Sequence, residues 1–456
     1  MSRLHDVVIR KRAEVEARRR LRPQAVIERD VEPTTRSFAA ALSRPGRRFV
    51  LECKQASPST GLLRPAYDPA ALAHGFAGVA DAMSVLTDGP WFRGSLAHLA
   101  QVRAATLLPI LCKDFIVDPF QVLEARAHGA DAVLLMLSLL DASGYRRLAA
   151  AAARLGMEVL TEVRNEVELD RAVRLGARII GINNRDLLTL EVDRGTTLRL
   201  APRIPRDRVI VCESGIRGRA DANEVAPLVD AFLVGTGIMR EERPDLAARA
   251  LAFGDVKVCG LTSASDAATA WAAGATLGGV VFAPGSPRRV DDTRAAAIAA
   301  GPLPLVGVFV NESPARVVGL ARSLGLAAVQ LHGDETPAEV AALRAHLPAG
   351  CEVWQAVRVR DRLSIPSPAL ADRLVLDTFD PVLRGGTGRR FDWRLVEALP
   401  DRSRVVLAGG LDPANAGDAL RLGCGALDVS SGVESAPGVK DRDRLARFFG
   451  ALREAA

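Results

Sequence analysis

Aromatic side chains are scarce in this chain of 456 residues, at 14 Phe, 4 Trp and 2 Tyr. No stretch interleaves arginine with stacking rings, so a groove for single-stranded nucleic acid is not indicated. Cysteine is thin as well. Its six positions, 53, 112, 212, 259, 351 and 424, lie far apart with no Cys-x-x-Cys pair and no nearby histidine. That spacing argues against a zinc site or a disulfide framework and fits a reducing cytoplasm. No apolar run approaches the roughly 20 residues that a membrane helix needs. The N-terminus has no apolar h-region, and Asp6, Glu14 and Glu16 among its arginines argue against a transit peptide. A Rossmann glycine fingerprint is missing too. Gly385-Gly386-Thr387-Gly388 is not a Walker loop, because no Gly-Lys-Ser/Thr follows it; a mobile active-site loop is expected there instead.

What remains is ordinary globular material, 48% hydrophobic and 25% charged, in a chain too long for one core, so two domains are expected. The net charge of +6 and pI of 9.3 come from arginines spread along the whole length. Phosphorylated or carboxylated small molecules account for such an excess as well as nucleic acid does.

Residues 4–21 have the pattern of a basic amphipathic helix, followed by a proline-punctuated connection and a short helix ending near Leu42. A rhythm of short aliphatic runs then begins: 49–54, 82–87, 109–114, 131–136, 157–162, 178–183, 208–213 and 230–235. Helical segments separate them, as in a parallel sheet buried on both faces. Asp118-Pro119 and Asp141 provide helix N-caps, and Gly129 and Gly156 stand where helices should end. After residue 255 the count restarts, at 256–260, 278–283, 304–310, 327–332, 352–357, 373–378, 404–410 and 426–431. The fold class predicted is α/β, as two tandem (β/α)8 TIM barrels: residues 1–253, with 1–48 as a helical extension, and 254–456. The near-absence of a linker predicts barrels that touch and active faces that are separate.

Catalytic groups of such barrels stand at the C-terminal ends of the strands. In the first half these ends carry Glu52 and Lys54, Lys113, Glu162, Asn183 with Arg185, and Glu213, followed by Ser214-Gly215 and Gly235-Thr236-Gly237. A single charged strand end is usually a solvated rim group, but five strands converging on acids and bases form a constellation. Cys53 and Cys212 alternate with the charged residues and so point to packing. The small residues after the last two strands suit a phosphate cradle of backbone N–H groups. In the second half the strand ends offer Cys259, Arg288, His332, Asp377, Gly409-Gly410 and Ser430-Ser431-Gly432. Taken alone, Cys259 is more often inert core, Asp377 more often a helix cap, and His332 a hydrogen-bonded structural residue.

Six ordered motifs in the first half carry a resemblance: Glu52-Cys53-Lys54-Gln55-Ala56-Ser57-Pro58-Ser59, Ser84-Val85-Leu86-Thr87-Asp88, Ile110-Leu111-Cys112-Lys113-Asp114-Phe115, Leu160-Thr161-Glu162-Val163, Gly181-Ile182-Asn183-Asn184-Arg185-Asp186-Leu187 and Glu213-Ser214-Gly215-Ile216. Residues 1–250 resemble the indole-3-glycerol-phosphate synthases. That likeness implies ring closure and decarboxylation of 1-(o-carboxyphenylamino)-1-deoxyribulose 5-phosphate. It implies Lys113 as general acid on the ketose oxygen, Glu162 as acid/base in the later dehydration, and Glu52 and Lys54 as assistants. Asn183, Arg185, Glu213 and Ser214 would hold the substrate, and Ser57, Gly215, Gly235 and Thr236 the phosphate. Thr60 departs from the family's usual lysine and Thr236 from its serine.

Residues 255–452 resemble the phosphoribosylanthranilate isomerases through Lys257-Val258-Cys259-Gly260-Leu261-Thr262, Ser286-Pro287-Arg288, Gly307-Val308-Phe309-Val310-Asn311, Val329-Gln330-Leu331-His332-Gly333, Leu376-Asp377-Thr378, Gly385-Gly386-Thr387-Gly388 with Phe391-Asp392-Trp393, Ala408-Gly409-Gly410-Leu411 and Asp428-Val429-Ser430-Ser431-Gly432-Val433-Glu434. The likeness implies an Amadori rearrangement. Asp377 would protonate the furanose oxygen and Cys259, as thiolate, would remove the C2′ proton. Lys257 is a candidate for lowering the thiol's pKa from its usual value of ~8.5. Arg288 would meet the anthranilate carboxylate, and Gly409, Gly410, Ser431 and Gly432 the phosphate. The synthase-then-isomerase order resembles a bifunctional bacterial enzyme of tryptophan biosynthesis. No metal or organic cofactor, no nucleic acid, no membrane, a cytoplasmic location and a monomer are expected. Two alternatives stay open: one barrel serving only as structure, or the arginine-rich N-terminal helix acting as an RNA-binding arm.

Overall fold

The computed structural model describes residues 3–363, 370–378 and 390–455. Eight parallel strands close the first barrel: β1 (Arg48–Cys53), β2 (Ala82–Leu86), β3 (Ile110–Lys113), β4 (Ala132–Met136), β5 (Glu158–Val163), β6 (Ile179–Asn183), β7 (Val209–Glu213) and β8 (Ala231–Val234). Neighbours in sequence are neighbours in space, and β8 returns to β1 with Arg48 opposite Ala231. A second closed barrel follows: β9 (Val256–Cys259), β10 (Leu277–Val281), β11 (Leu305–Phe309), β12 (Ala328–Leu331), β13 (Glu352–Val359), β14 (Arg373–Thr378), β15 (Val405–Leu407) and β16 (Ala426–Val429). The chain divides into two compact units, Met1–Ala252 and Phe253–Ala456. The Gly385–Gly388 loop expected from sequence lies outside the described residues.

Local chemistry sets the helix ends. Asp118 caps its helix from the side chain, with Gln121 returning the bond in a capping box and Pro119 at the first helical position. Asp141 accepts from the Gly144 N–H, and Gly129 and Gly156 take the positive φ (100° and 67°) that ends a helix.

The extension ahead of β1 holds three helices: α1 (Arg3–Leu21), α2 (Gln24–Glu28) and α3 (Phe38–Leu42). Phe38, Ala39 and Leu42 join a core cluster with Val50, Ala82, Leu111, Ala132, Leu160, Ile179, Val211 and Ala231, so α3 stoppers the N-terminal mouth of the first barrel. In the second barrel the corresponding layer is filled from within, by Trp354 of β13 among Val306, Ala328, Val375, Val406 and Ala426. Helix α1 differs from the expected amphipathic pattern. Its buried stripe is Val7, Lys11 and Val15, with a cation at the centre. Lys11 Nζ bonds Asp88 at 2.6 Å and Asp114 at 2.9 Å, on the segments after β2 and β3.

Candidate active sites

Glu52 near the end of β1 and Lys54 just beyond it stand two apart, with Lys54 Nζ 2.6 Å from Glu52 Oε1. At the end of β3, Lys113 Nζ lies 3.2 Å from Glu52 Oε2 and 3.3 Å from Oε2 of Glu213 on β7. One carboxylate thus serves two lysines, and one lysine bridges two carboxylates. Burial opposes the charge on Glu52, but Lys113 and Lys54 outweigh it and hold the carboxyl down at about 2. For Lys113 burial is likewise outweighed, by Glu52, Glu213 and Glu162, and its affinity for a proton rises. Lys54 moves the other way, lowered by burial and by the Lys113 charge despite Glu52. Glu162, at the end of β5, is pushed up to about 8 by burial and by Glu213, against Lys113. Groups of the same type are thereby split into donors and acceptors within one cluster.

These side chains open into a cleft lined by Glu52, Lys54, Lys113, Glu162, Asn183 and Arg185. Ser57, Ser214, Gly215, Gly235 and Thr236 line it too, while Glu213 lies beneath with no exposed surface. Both Ser214 and Gly215 adopt positive φ (65° and 84°) directly after β7. Ser57 Oγ pairs with Thr60 Oγ1 at 2.6 Å, so the unusual threonine bonds to a candidate phosphate ligand. Cys53 and Cys212 are fully buried, as expected.

Sequence inspection missed three features here. The apolar wall of Phe92, Phe115, Leu134 and Met136 faces the charged cluster. Gly181 makes room for Glu213, whose Oε1 a Cβ on β6 would overlap, and Gly235 does the same for Glu52. The third is the Lys11 clamp on Asp88 and Asp114, two residues of the cleft. A glycine inside a strand was the available signal for Gly181; Lys11 gave none.

In the second barrel, Lys257 is fully buried, 2.6 Å from Asp428 Oδ2 and 2.8 Å from Gln330 Oε1. Cys259 shares its face: a Cβ at Gly279 would stand 2.7 Å from Cys259 Sγ and 2.8 Å from Lys257 Cε. Burial pushes the Cys259 thiol up, and Lys257 and Lys440 pull against it. Across the barrel, the Gln330 amide donates to His332 Nδ1 at 2.9 Å, which leaves the Nε2 hydrogen facing Asp377 Oδ2 at 3.5 Å. Asp377 Oδ1 accepts from the Thr378 N–H at 2.8 Å. Gly409 and Gly410 take positive φ (79° and 68°) after β15, and Ser431–Val433 forms a 3-10 turn after β16. Arg288 is held by Glu434, Nε to Oε1 at 2.9 Å and Nη2 to Oε2 at 2.7 Å. Gln330, Asp428 and Glu434 stand within the sequence motifs but were given no role there, and Lys440 lies outside them.

Residues 4–251 match the family model of indole-3-glycerol phosphate synthase, and residues 256–451 that of N-(5′-phosphoribosyl)anthranilate isomerase. A "Tryptophan biosynthesis protein TrpCF" of Yersinia pestis is 46% identical over 453 residues, covering 99% of this chain and 94% of that protein. The chain belongs to the TrpCF family. Its Vibrio cholerae relative of the same name is 47% identical over 440 residues, covering 96% of this chain and 93% of that one. A phosphoribosyl anthranilate isomerase crystal structure from Thermus thermophilus is 37% identical, covering 43% of this chain and 98% of that chain with a TM-score of 0.40. As a TrpCF member the chain is a bifunctional enzyme of tryptophan biosynthesis, a decarboxylating synthase and an isomerase on tandem barrels. Among the described residues no helix is long and apolar enough to cross a membrane.

Proposed function

We propose that the first barrel converts 1-(o-carboxyphenylamino)-1-deoxyribulose 5-phosphate to indole-3-glycerol phosphate. Lys113 protonates the ketose oxygen while the ring carbon bearing the carboxylate attacks; carbon dioxide leaves, and Glu162 serves the dehydration that expels water. Glu52 assists by fixing Lys113, and Lys54 by holding Glu52. Asn183, Arg185 and Ser214 hold the substrate, Glu213 acts on it from beneath through Lys113, and Ser57, Gly215, Gly235 and Thr236 hold its phosphate. The carrying observation is the placement of Lys113 between Glu52 and Glu213, beside an apolar wall that fits the anthranilate ring.

In the second barrel, Asp377 protonates the furanose oxygen of N-(5-phosphoribosyl)anthranilate, opening the sugar to a Schiff base, and the Cys259 thiolate takes the C2′ proton. Arg288 meets the anthranilate carboxylate; Gly409, Gly410, Ser431 and Gly432 take the phosphate. The domains so assigned are 1–253 and 254–456, acting as a cytoplasmic monomer on phosphorylated small molecules without metal or organic cofactor.

Phosphoribosylanthranilate fluorescence tests the assignment. Cys259→Ala should stop the fluorescence decay and spare synthase turnover of supplied intermediate, whereas Lys113→Ala should do the reverse, each by about 100-fold or more. Loss of both activities from either change contradicts it.

A further inference from the structure

A two-stranded antiparallel ribbon, Glu434–Ala436 with Val439–Lys440, follows the Ser431–Gly432 turn and has no part in the roles above. Its ends carry buried charge. The Lys440 side chain is fully shielded and lies 2.6 Å from Glu434 Oε1, itself 4% exposed. The ribbon is pinned to the segment after β9: the Thr262 hydroxyl donates to the Gly438 carbonyl, and the Lys440 N–H donates to Asp266 at 3.1 Å. From there Glu434 grips Arg288 through both oxygens. Lys440 Nζ also donates to the backbone carbonyl of Cys259.

Four charged groups act on the Cys259 thiol: Lys257 on its own strand, Asp428 on β16 paired with that lysine, Lys440 on the ribbon bonded to the Cys259 carbonyl, and Arg288 after β10. Lys257 is matched by Asp428 at 2.6 Å. Arg288 and Lys440 share the single carboxylate of Glu434, so the surroundings of the thiol keep one positive charge in excess while Lys440 is protonated, a charge that burial opposes and Glu434 supports. A carboxylate on the guanidinium weakens its pull on an anion but fixes its plane, because the fork binds in one orientation.

Resting on the assignment of Cys259 as base and Arg288 as carboxylate ligand, we infer that Glu434 and Lys440 are positioning residues of the isomerase. Glu434 orients the Arg288 guanidinium, leaving its free N–H groups for the substrate carboxylate. Lys440 supplies the excess positive charge that favours the Cys259 thiolate. The two carry opposite charges beside one thiol, so their removal moves its titration in opposite directions.

The test is the pH dependence of two rates on the full-length enzyme: isomerase kcat/KM, and iodoacetamide alkylation of Cys259 followed by peptide mass. Lys440→Met should shift both acid limbs up by about one pH unit, the scale on which a neighbouring charge acts, and K440R should bring them back. Glu434→Gln should shift them down and raise KM. Both variants leaving the limbs in place, or moving them together, would overturn the inference. If K440M unfolds, the downward shift in E434Q still decides. Full isomerase activity in C259A would instead sink the site assignment.

Discussion

At the scale of single residues, the first barrel shows how environment divides roles among like groups. Glu52 is ionised because two lysines attend it, whereas Glu162 holds its proton to about 8 because burial and Glu213 oppose its charge. A raised carboxyl acting as an acid works below its pKa and fails above it. Synthase kcat/KM should therefore fall on the alkaline side near pH 8. Glu213→Gln removes the like charge, lowers the Glu162 pKa and should move that limb down by about one pH unit; a limb that stays or rises would be inconsistent with Glu162 as the acid. The charged strand ends were legible in sequence because strand alternation dictates which residues face the barrel mouth. Their partners were not. Asp428 and Glu434 lie 171 and 146 residues from Lys257 and Arg288, and only barrel closure brings them together.

At the scale of elements, periodicity located α1 but not the cation in its buried stripe. A lysine at the centre of its buried stripe breaks the apolar pattern, and the stripe makes sense only once Asp88 and Asp114 are known to await it. Burial leaves Lys11, Asp88 and Asp114 nearly without water, with side chains 3%, 2% and 8% exposed. Removing the cation strands two acids, so Lys11→Met should cost about 3 kcal/mol of first-unit stability by urea unfolding. It should also slow the synthase, since Asp114 adjoins Lys113. An unchanged urea midpoint would mean that water replaces the ammonium. The strands themselves were easy to find, as aliphatic runs buried on both faces have few other uses.

At the scale of the molecule, the sixteen strands form two closed barrels, each with its own core. Separate cores and separate residue sets predict that the activities can be supplied by different chains. A mixture of the Cys259→Ala and Lys113→Ala enzymes should carry phosphoribosylanthranilate through to indole-3-glycerol phosphate. The intermediate should first accumulate in solution, as followed by stopped-time chromatography. Failure of the mixture, with each variant active in its own half, would require transfer within one chain.

The two ways of closing a barrel floor make the order of the fusion asymmetric. The first barrel draws its stopper from upstream, through α3, and so needs a preceding segment; the second draws Trp354 from its own fifth strand and can begin at β9. Only Gly254 and Asp255 separate the helix Pro244–Phe253 from that strand, and Gly254 turns the chain at φ 78°. A self-stoppered barrel can be spliced directly behind another gene product, whereas a chain with the halves exchanged would have to carry α1 to α3 in its middle as an obligatory spacer.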